Sequence, residues 1–157
     1  RLRYAGGDGI NSFDPSGLAS LNLFKPGSSL HAAAEAWNED NFYTVAGHGN
    51  TEIITDHRTL IKGEPLRLTP EMLANIIKAD PQWKQKPIVL GACNTGFEMG
   101  GTSYAKELSR LLRVPVRGPN GFVWYQFGAL TGVTNSQHKG PSFGWDFMKI
   151  QPIFRFY

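Results

Sequence analysis

The feature that most constrains the fold is the apolar run PIVLGAC (residues 87–93), which lies between two segments with helical periodicity. An uninterrupted apolar strand indicates that both faces of its sheet are covered. LTPEMLANIIKAD, before it, has a threonine cap, proline at the first helical position and one apolar face, and SYAKELSRLLRV, after it, also predicts a helix. Strands that alternate with helices predict an α/β fold with a mostly parallel central sheet flanked by helices.

Further elements extend this alternation on both sides. SSLHAAAEAWNE predicts a helix, because serines that can cap it precede Ala and Trp at helical spacing. NFYTVAGHG predicts a strand that ends in glycine, and TEIITD is predicted to pair with RTLIKG as a short hairpin. The remaining predicted strands are VPVRGP, GFVWYQFG and a last strand with an aromatic tail in GWDFMKIQPIFRFY.

Length and composition limit the classes of function. A chain of 157 residues, 41% hydrophobic and 18% charged, is typical of one globular domain with a hydrophobic core. The net charge of +3 comes from scattered Lys and Arg residues, which disfavours a nucleic-acid partner. One cysteine excludes an internal disulfide, and no apolar run reaches the roughly 18 residues of a membrane span. Because the first residue is Arg, we expect the chain to be part of a longer protein.

Residues 1–28 differ from the rest, because they are rich in Gly, Ser, Asn and Pro and lack a sustained apolar period. On chemistry alone they predict a tail or linker. The stretch YAGGDGINSFDPSGL (residues 4–18) also resembles the terminal DPxGL motif of the Rhs/YD-repeat core. In that family the motif closes a β-shell and precedes a variable C-terminal toxin. The resemblance implies a division into the end of an Rhs core with its linker (1–28) and a toxin domain (29–157).

Rhs proteins cut themselves after the leucine of this motif with paired aspartates. Only Asp14 of such a pair is present here, so self-cleavage of the Rhs type is not supported by this chain. The alternative interpretation of FDPSGL is a plain Asp-Pro-Ser-Gly turn.

Two predicted strands end in reactive residues, His48 and Cys93, each surrounded by glycine or alanine. In open α/β sheets ligands bind beyond the carboxyl ends of the strands, and small residues there allow a substrate backbone to approach. A cysteine nucleophile with a histidine base is the chemistry that such a pair supports. The backbone N–H groups of Cys93 and Gly49 are the candidate donors to the oxyanion of a tetrahedral intermediate.

An apolar strand that ends in His-Gly, followed about 50 residues later by one that ends in Cys, resembles the caspase-like (clan CD) cysteine peptidases. GACNTG is similar to the Gly-Cys-Asn context in self-processing protease domains of large bacterial toxins. The resemblance implies that His48 is the general acid/base, that Cys93 is the nucleophile and that VRGPNGFVW lines the P1 pocket. It implies no third catalytic residue. The alternative is a small buried cysteine and a simple Gly-His-Gly turn.

Substrate specificity is left open by the sequence. Arg117 is a candidate partner for an acidic P1 side chain, and Trp124 is a candidate wall of an apolar pocket. Further candidates are Asp56, Glu98 and Asp146 for a basic P1 side chain, and Tyr125 and Phe127 for the apolar wall. The alternative is that Val123, Tyr125 and Phe127 face the core with a period of two.

No metal site is predicted, because the chain has one cysteine and no His-x-x-x-His spacing. His31 is expected on a helix surface, His57 in a polar turn and His138 in a loop. No cofactor is predicted either. As a secondary alternative, the resemblance to toxin proteases implies activation by inositol hexakisphosphate through Lys84, Lys86, Arg110, Arg113 and Arg117.

Taken together, these resemblances imply an Rhs-associated effector toxin, a caspase-like cysteine endopeptidase that cleaves a protein in the target cell. They imply delivery by a secretion system such as type VI, action in the target-cell cytoplasm, and two partners, the Rhs core shell and a cognate immunity protein. The alternatives are a Cys–His amidase or acyltransferase toxin and a non-catalytic binding module with the same fold. A third alternative is a toxin that acts on nucleic acid or NAD, and the lack of a basic cluster and of an acidic metal constellation disfavours its nuclease version.

Overall fold

The computed structural model describes residues 18–126, 129–134 and 154–156. The elements follow the chain as strands β1 to β10 with three interspersed helices, α1 to α3. In order they are β1 Leu21–Asn22, α1 Ser29–Glu35, β2 Tyr43–Ala46, β3 His48–Gly49, β4 Ile54–Ile61, β5 Glu64–Leu68, α2 Pro70–Ala79, β6 Ile88–Gly91, α3 Tyr104–Leu112, β7 Val116–Pro119, β8 Phe122–Gln126, β9 Ala129–Thr134 and β10 Phe154–Phe156.

The central sheet has the strand order β1-β2-β6-β7-β10. Strands β1, β2, β6 and β7 are parallel to one another, and β10 pairs with β7 in the antiparallel direction. A three-stranded antiparallel sheet of β3, β4 and β5 and a hairpin of β8 and β9 complete the described part of the chain. The predicted α/β fold with a mostly parallel sheet is confirmed.

Each helix begins at a hydroxyl residue whose side-chain oxygen accepts a backbone N–H three residues further along, as expected of a helix N-cap. The three caps are Ser28, Thr69 and Ser103. Pro70 occupies the first turn of α2, where its missing N–H costs no hydrogen bond. All three predicted helices are therefore present.

The two faces of the central sheet belong to separate apolar clusters, because side chains alternate along each strand. On the first face, residues such as Val45 and Leu90 pack with Leu73 of α2 and Leu108 of α3. The second cluster contains Ala46 and Val89 from the sheet together with three aromatic residues, Phe24, Trp37 and Tyr125. This second cluster adjoins the strand ends that carry His48 and Cys93.

The predicted boundary at residue 28 is wrong, because the folded domain begins earlier. Leu21 pairs with Val45 in the central sheet, and Leu23 and Phe24 are buried in its core. The four-residue run LNLF is too short to show a period, and it lies among the glycines, serines and prolines that indicated a linker. The resemblance to the Rhs motif falls on residues 4–18, which lie outside the described residues apart from Leu18.

The hairpin predicted between TEIITD and RTLIKG is also wrong. Both segments belong to one continuous strand, β4, and its partner is β5. The turn is at Lys62 and Gly63, which both have positive φ angles (53° and 79°), as a two-residue hairpin turn requires. His57 consequently lies within a strand, half-buried, and not in a polar turn.

No helix in the described part of the chain is long and apolar enough to cross a membrane.

Candidate functional site

The structure places His48 and Cys93 at equivalent positions beyond two neighbouring strands. Strands β2 and β6 are parallel, and their last register pair is Ala46 with Gly91. His48 and Cys93 each follow that pair by two residues, so both leave the sheet at the same edge. The neighbours of both residues belong to the apolar cluster of the second face, because the ring of His48 contacts Phe24 and the Sγ atom of Cys93 accepts a hydrogen bond from Val123. The predicted adjacency of the two strand ends is confirmed.

Gly49 lies directly against the turn that carries Cys93. A Cβ atom at Gly49 would lie 2.9 Å from the Cβ of Ala92 and 3.3 Å from the carbonyl oxygen of Cys93. A side chain at this position would therefore force the two segments apart. The absence of a side chain brings together the two residues whose N–H groups are the candidate oxyanion donors.

The Cys93 turn is fixed against the start of β8. The Sγ atom of half-buried Cys93 accepts a hydrogen bond from the backbone N–H of Val123 at 3.4 Å. Asn94 follows in the left-handed conformation, with φ of 60°, and its N–H donates to the carbonyl of Gly121 at 2.8 Å. Asn is among the residues that adopt this conformation most readily, so the local sequence suits a tight turn at the thiol.

The exposed side chain of His48 contacts an aromatic ring and a second histidine. Its ring meets the edge of Phe24 at a centroid distance of 4.8 Å and lies 5.3 Å from the ring of His57. Desolvation by these neighbours lowers the pKa of His48, and the charge of His57 lowers it further. His48 is therefore neutral at pH 7, which is the protonation state that a general base requires.

Burial raises the pKa of the Cys93 thiol above its ordinary value, although hydrogen bonds from the N–H groups of Val123 and Cys93 itself act in the opposite direction. At rest Cys93 is accordingly a neutral thiol and His48 a neutral imidazole, and the two do not form a thiolate–imidazolium ion pair.

We expect this neutral thiol to be alkylated slowly by small reagents. At pH 7, iodoacetamide should modify Cys93 more slowly than it modifies a small free thiol, because only the thiolate is the nucleophile and its fraction is reduced by the raised pKa. The rate should increase as the pH rises through and beyond the ordinary thiol range. Intact-protein mass spectrometry at several pH values measures this, with Cys93→Ala as the unlabelled control. Alkylation at pH 7 faster than that of the free thiol would contradict a neutral resting thiol.

Tyr125 contacts residues next to both members of the candidate pair, Gly91 near Cys93 and Phe24 beside His48. Its hydroxyl donates to the carbonyl of Gly91 at 2.5 Å, and its ring contacts Phe24 and Trp37 at centroid distances of 5.6 and 5.7 Å. Burial raises the pKa of Tyr125 well above its ordinary value, and the nearby Cys93 raises it further. Tyr125 is therefore neutral and buried. This does not support the hypothesis that its side chain forms the wall of an open pocket.

The inward orientation of Val123 and Tyr125, which the period of two predicts, is confirmed by their packing in the second cluster. Phe127 and Asp146 lie outside the described residues. Trp124 lies between Val123 and Tyr125 on β8, so alternation directs it to the opposite face of that strand, where it is half-buried.

Arg117 is not brought to the site. It pairs with the carboxylate of Glu39, and its guanidinium lies 5.3 Å from the ring centroid of Phe42. Glu39 and Phe42 precede β2, and the register partner of Arg117 is Val89, four residues before Cys93. Arg117 therefore lies toward the amino end of the sheet, away from the edge that carries the thiol.

The acidic candidates for binding a basic P1 side chain differ in burial: Asp56 is buried and Glu98 is exposed. Asp56 is buried and binds Arg58 through two hydrogen bonds of 3.0 and 2.8 Å, so its carboxylate is already paired. Burial alone would raise the pKa of Asp56, but the bonds to Arg58 outweigh it and lower the pKa. Glu98 is exposed on the loop after the Cys93 turn.

That same loop exposes two apolar side chains that the sequence interpretation missed. Phe97 and Met99 are 46% and 59% exposed. The Phe97 N–H donates to the carbonyl of Asn94, so the loop continues directly from the Cys93 turn. Its sequence signal was weak, because FEMGG has no strand or helix period.

Within residues 18–126, 129–134 and 154–156, no group of three or more His, Cys, Asp or Glu side chains is placed to hold a metal ion. Two of the five basic residues considered for inositol hexakisphosphate have carboxylate partners. Arg110 pairs with Glu107, and Arg117 pairs with Glu39, so two of the five cations are already neutralised by carboxylates.

Comparison with known proteins identifies a family but no activity. No curated protein and no solved structure matches the chain. Residues 19–143, well over half of the chain, match the family described as Domain of unknown function (DUF8616). The match begins before β1 and includes both His48 and Cys93. The chain therefore belongs to the DUF8616 family.

Proposed function

We propose that this domain is a cysteine endopeptidase in which Cys93 is the nucleophile and His48 the general acid/base. The observation that carries the proposal is the equivalent placement of the two residues beyond the last register pair of β2 and β6. A nucleophile and a base on adjacent strand ends of one sheet edge support acyl-transfer chemistry.

The chemistry follows from the neutral resting pair. As the sulfur of Cys93 attacks the carbonyl carbon of a peptide bond, its proton passes to an imidazole nitrogen of His48 and a C–S bond forms. The proposed donors to the resulting oxyanion are the N–H groups of Gly49 and Cys93, whose segments lie against each other. His48 then gives its proton to the leaving amine as the C–N bond breaks, which leaves a thioester. Water then attacks the thioester carbonyl as His48 takes its proton, the C–S bond breaks to release the carboxylic acid, and His48 returns the proton to the sulfur of Cys93.

The biological context of the proposal is an Rhs-associated effector toxin. The family match begins at residue 19, directly after Leu18, where the resemblance to the DPxGL motif ends. A domain that starts at this junction is consistent with a variable toxin that follows an Rhs core. The proposal includes delivery by a secretion system, cleavage of a protein in the target-cell cytoplasm, and a cognate immunity protein as partner.

Product analysis tests the reaction class. The purified 157-residue protein is incubated with a mixture of denatured proteins, with small amides and with a primary-amine acceptor, and the products are identified by mass spectrometry. An endopeptidase produces new peptide termini that carry a free carboxylate from water. Release of ammonia from side-chain amides, or conjugates with the amine acceptor, would replace this proposal by an amidase or an acyltransferase. The absence of any product would favour a binding module.

The pH dependence of cleavage provides a second check. Because His48 must be neutral to accept the thiol proton, activity is lost as the pH falls through its folded-state pKa. That pKa lies below the ordinary value of about 6.5, so the acid limb of the kcat/KM profile should fall below pH 6.5. In His48→Gln this limb should disappear together with most of the activity, whereas His31→Gln in α1 should retain it. An acid limb above pH 6.5 would contradict His48 as the base.

A further inference from the structure

We propose that His57 is a positioning residue for His48, which holds the imidazole of His48 against Phe24 at the edge where Cys93 lies. The proposal rests on the proposed function for its meaning in catalysis. It assigns a role to a side chain that the sequence placed in a surface turn.

The placement follows from the pairing of β3 with β4. His48 is the register partner of Thr55, and His57 follows Thr55 by two residues on β4. Residues two apart on a strand face the same side, so Thr55 and His57 line the side that neighbours His48. The rings of His48 and His57 lie 5.3 Å apart with an angle of 71° between their planes.

His57 is itself held in place by two hydrogen bonds. Its Nε2 atom is 3.0 Å from the hydroxyl oxygen of Thr55, and its backbone N–H donates to the carbonyl of Leu23 at 2.9 Å. Leu23 precedes Phe24, whose ring also contacts His48. Solvent-exposed His48 therefore contacts two rings, Phe24 and His57, and the segments that carry these rings are joined by the hydrogen bond from His57 to Leu23.

The charges around His48 support the same role. From β4, the titratable neighbours are His57 and the Asp56–Arg58 ion pair, in which each charge is neutralised by the other. The turn after β6 contributes the neutral Cys93, and Lys25, beside Phe24, is exposed. A positive charge on His57 therefore disfavours protonation of His48. No unpaired carboxylate on β4 offsets this repulsion. His57 thus helps to keep His48 as a free base as well as oriented.

The test uses proton NMR of the histidine ring signals in the full 157-residue protein as a function of pH. In His57→Gln, the titration midpoint of His48 should move upward, toward the ordinary value of about 6.5. In the matched control, His31→Gln, it should stay where it is in the wild type. Thr55→Val, which removes the hydroxyl that holds the His57 ring, should move the midpoint in the same direction by a smaller amount and serves if His57→Gln does not fold. An unchanged midpoint in the variant that folds would overturn the proposal.

A kinetic measurement separates this inference from the proposed function. In His57→Gln, kcat for peptide cleavage should fall about tenfold with KM little changed, because a misplaced base affects the reacting state and not substrate binding. The acid limb of the profile should move to higher pH. If the wild type cleaves no peptide, the proposed function fails, but the NMR titration still decides whether His57 controls His48. If cleavage is normal and the titration midpoint does not move, only the role of His57 fails.

Discussion

Replacing Cys93 by alanine is expected to abolish peptide-bond cleavage, with a fall in kcat/KM of at least about 10³-fold. The covalent route is lost because Cys93 is the only cysteine of the chain. Folding should be little affected, since the Sγ atom accepts one long hydrogen bond from Val123 and the side chain is only half-buried. The loss of activity should therefore occur without a comparable loss of stability.

The corresponding measurement in cells compares growth of bacteria that express wild type, Cys93→Ala or His31→Gln in the cytosol. We expect wild type and His31→Gln to arrest growth and to generate discrete protein fragments, and Cys93→Ala to do neither at equal protein level. Growth arrest by Cys93→Ala equal to that by the wild type would show that toxicity does not depend on the thiol. That result would favour a toxin of another class, such as one that acts on nucleic acid or NAD, over a cysteine peptidase.

Replacing Gly96 by alanine should destabilise the fold by about 4 kcal/mol, a large fraction of the stability of a domain of this size. A Cβ atom there would lie 2.1 Å from the carbonyl oxygen and 2.6 Å from the carbonyl carbon of Gly118. Both contacts are with backbone atoms of β7, so no side chain can rotate away. Relief requires the Cys93 turn to separate from β7, which breaks the hydrogen bond from the Gly96 N–H to the carbonyl of Pro119.

Gly27→Ala is the matched control for this prediction. Gly27 has φ of 87° but no atom within 4 Å of an added Cβ, so its replacement should cost only the left-handed strain, about 1 kcal/mol. Equilibrium unfolding in urea, followed by tryptophan fluorescence, gives both free energies of unfolding. If Gly96→Ala unfolded at the same urea concentration as Gly27→Ala, the close packing of the Cys93 turn on β7 would be incorrect.

Much of the fold could be predicted because its signals are local. The continuous apolar run of β6 and the caps at Ser28 and Thr69 each depend on residues adjacent in the chain. Strand β1 could not be predicted, because two residues carry no period and their strand character depends on pairing with β2. The division between β2 and β3 was hidden for the same reason, since NFYTVAGHG reads as one strand and a bend at Gly47 sends His48 to a second sheet.

The candidate site was predictable in part. His48 and Cys93 could be found because strand ends at a parallel sheet edge are where reactive residues converge. The environment that tunes them could not, because it is assembled from distant segments. Phe24 lay in a supposed linker, His57 in a supposed turn, and Tyr125 reaches Gly91 from 34 residues away. The pairing of Arg117 with Glu39, 78 residues away, could not be predicted from the sequence, which therefore left Arg117 as a candidate for substrate specificity.

The neutral resting state of the site affects which probes are informative. A small alkylating reagent measures the thiolate fraction, so it is expected to react slowly with Cys93 whether or not the domain is an enzyme. A peptide that carries an electrophilic ketone in place of its scissile bond is different, because it occupies the site, binds the oxyanion donors and receives the sulfur with the help of His48.

The most direct measurement is therefore covalent labelling by a mixed-sequence peptidyl chloromethyl ketone, followed by intact-protein mass spectrometry and localisation of the adduct. We predict a single adduct on Cys93 in the wild type and in His31→Gln, formed at least about tenfold faster than in His48→Gln. Labelling of His48→Gln at the wild-type rate, or no labelling of the wild type above that of a small free thiol, would contradict the claim that Cys93 and His48 act as a catalytic pair.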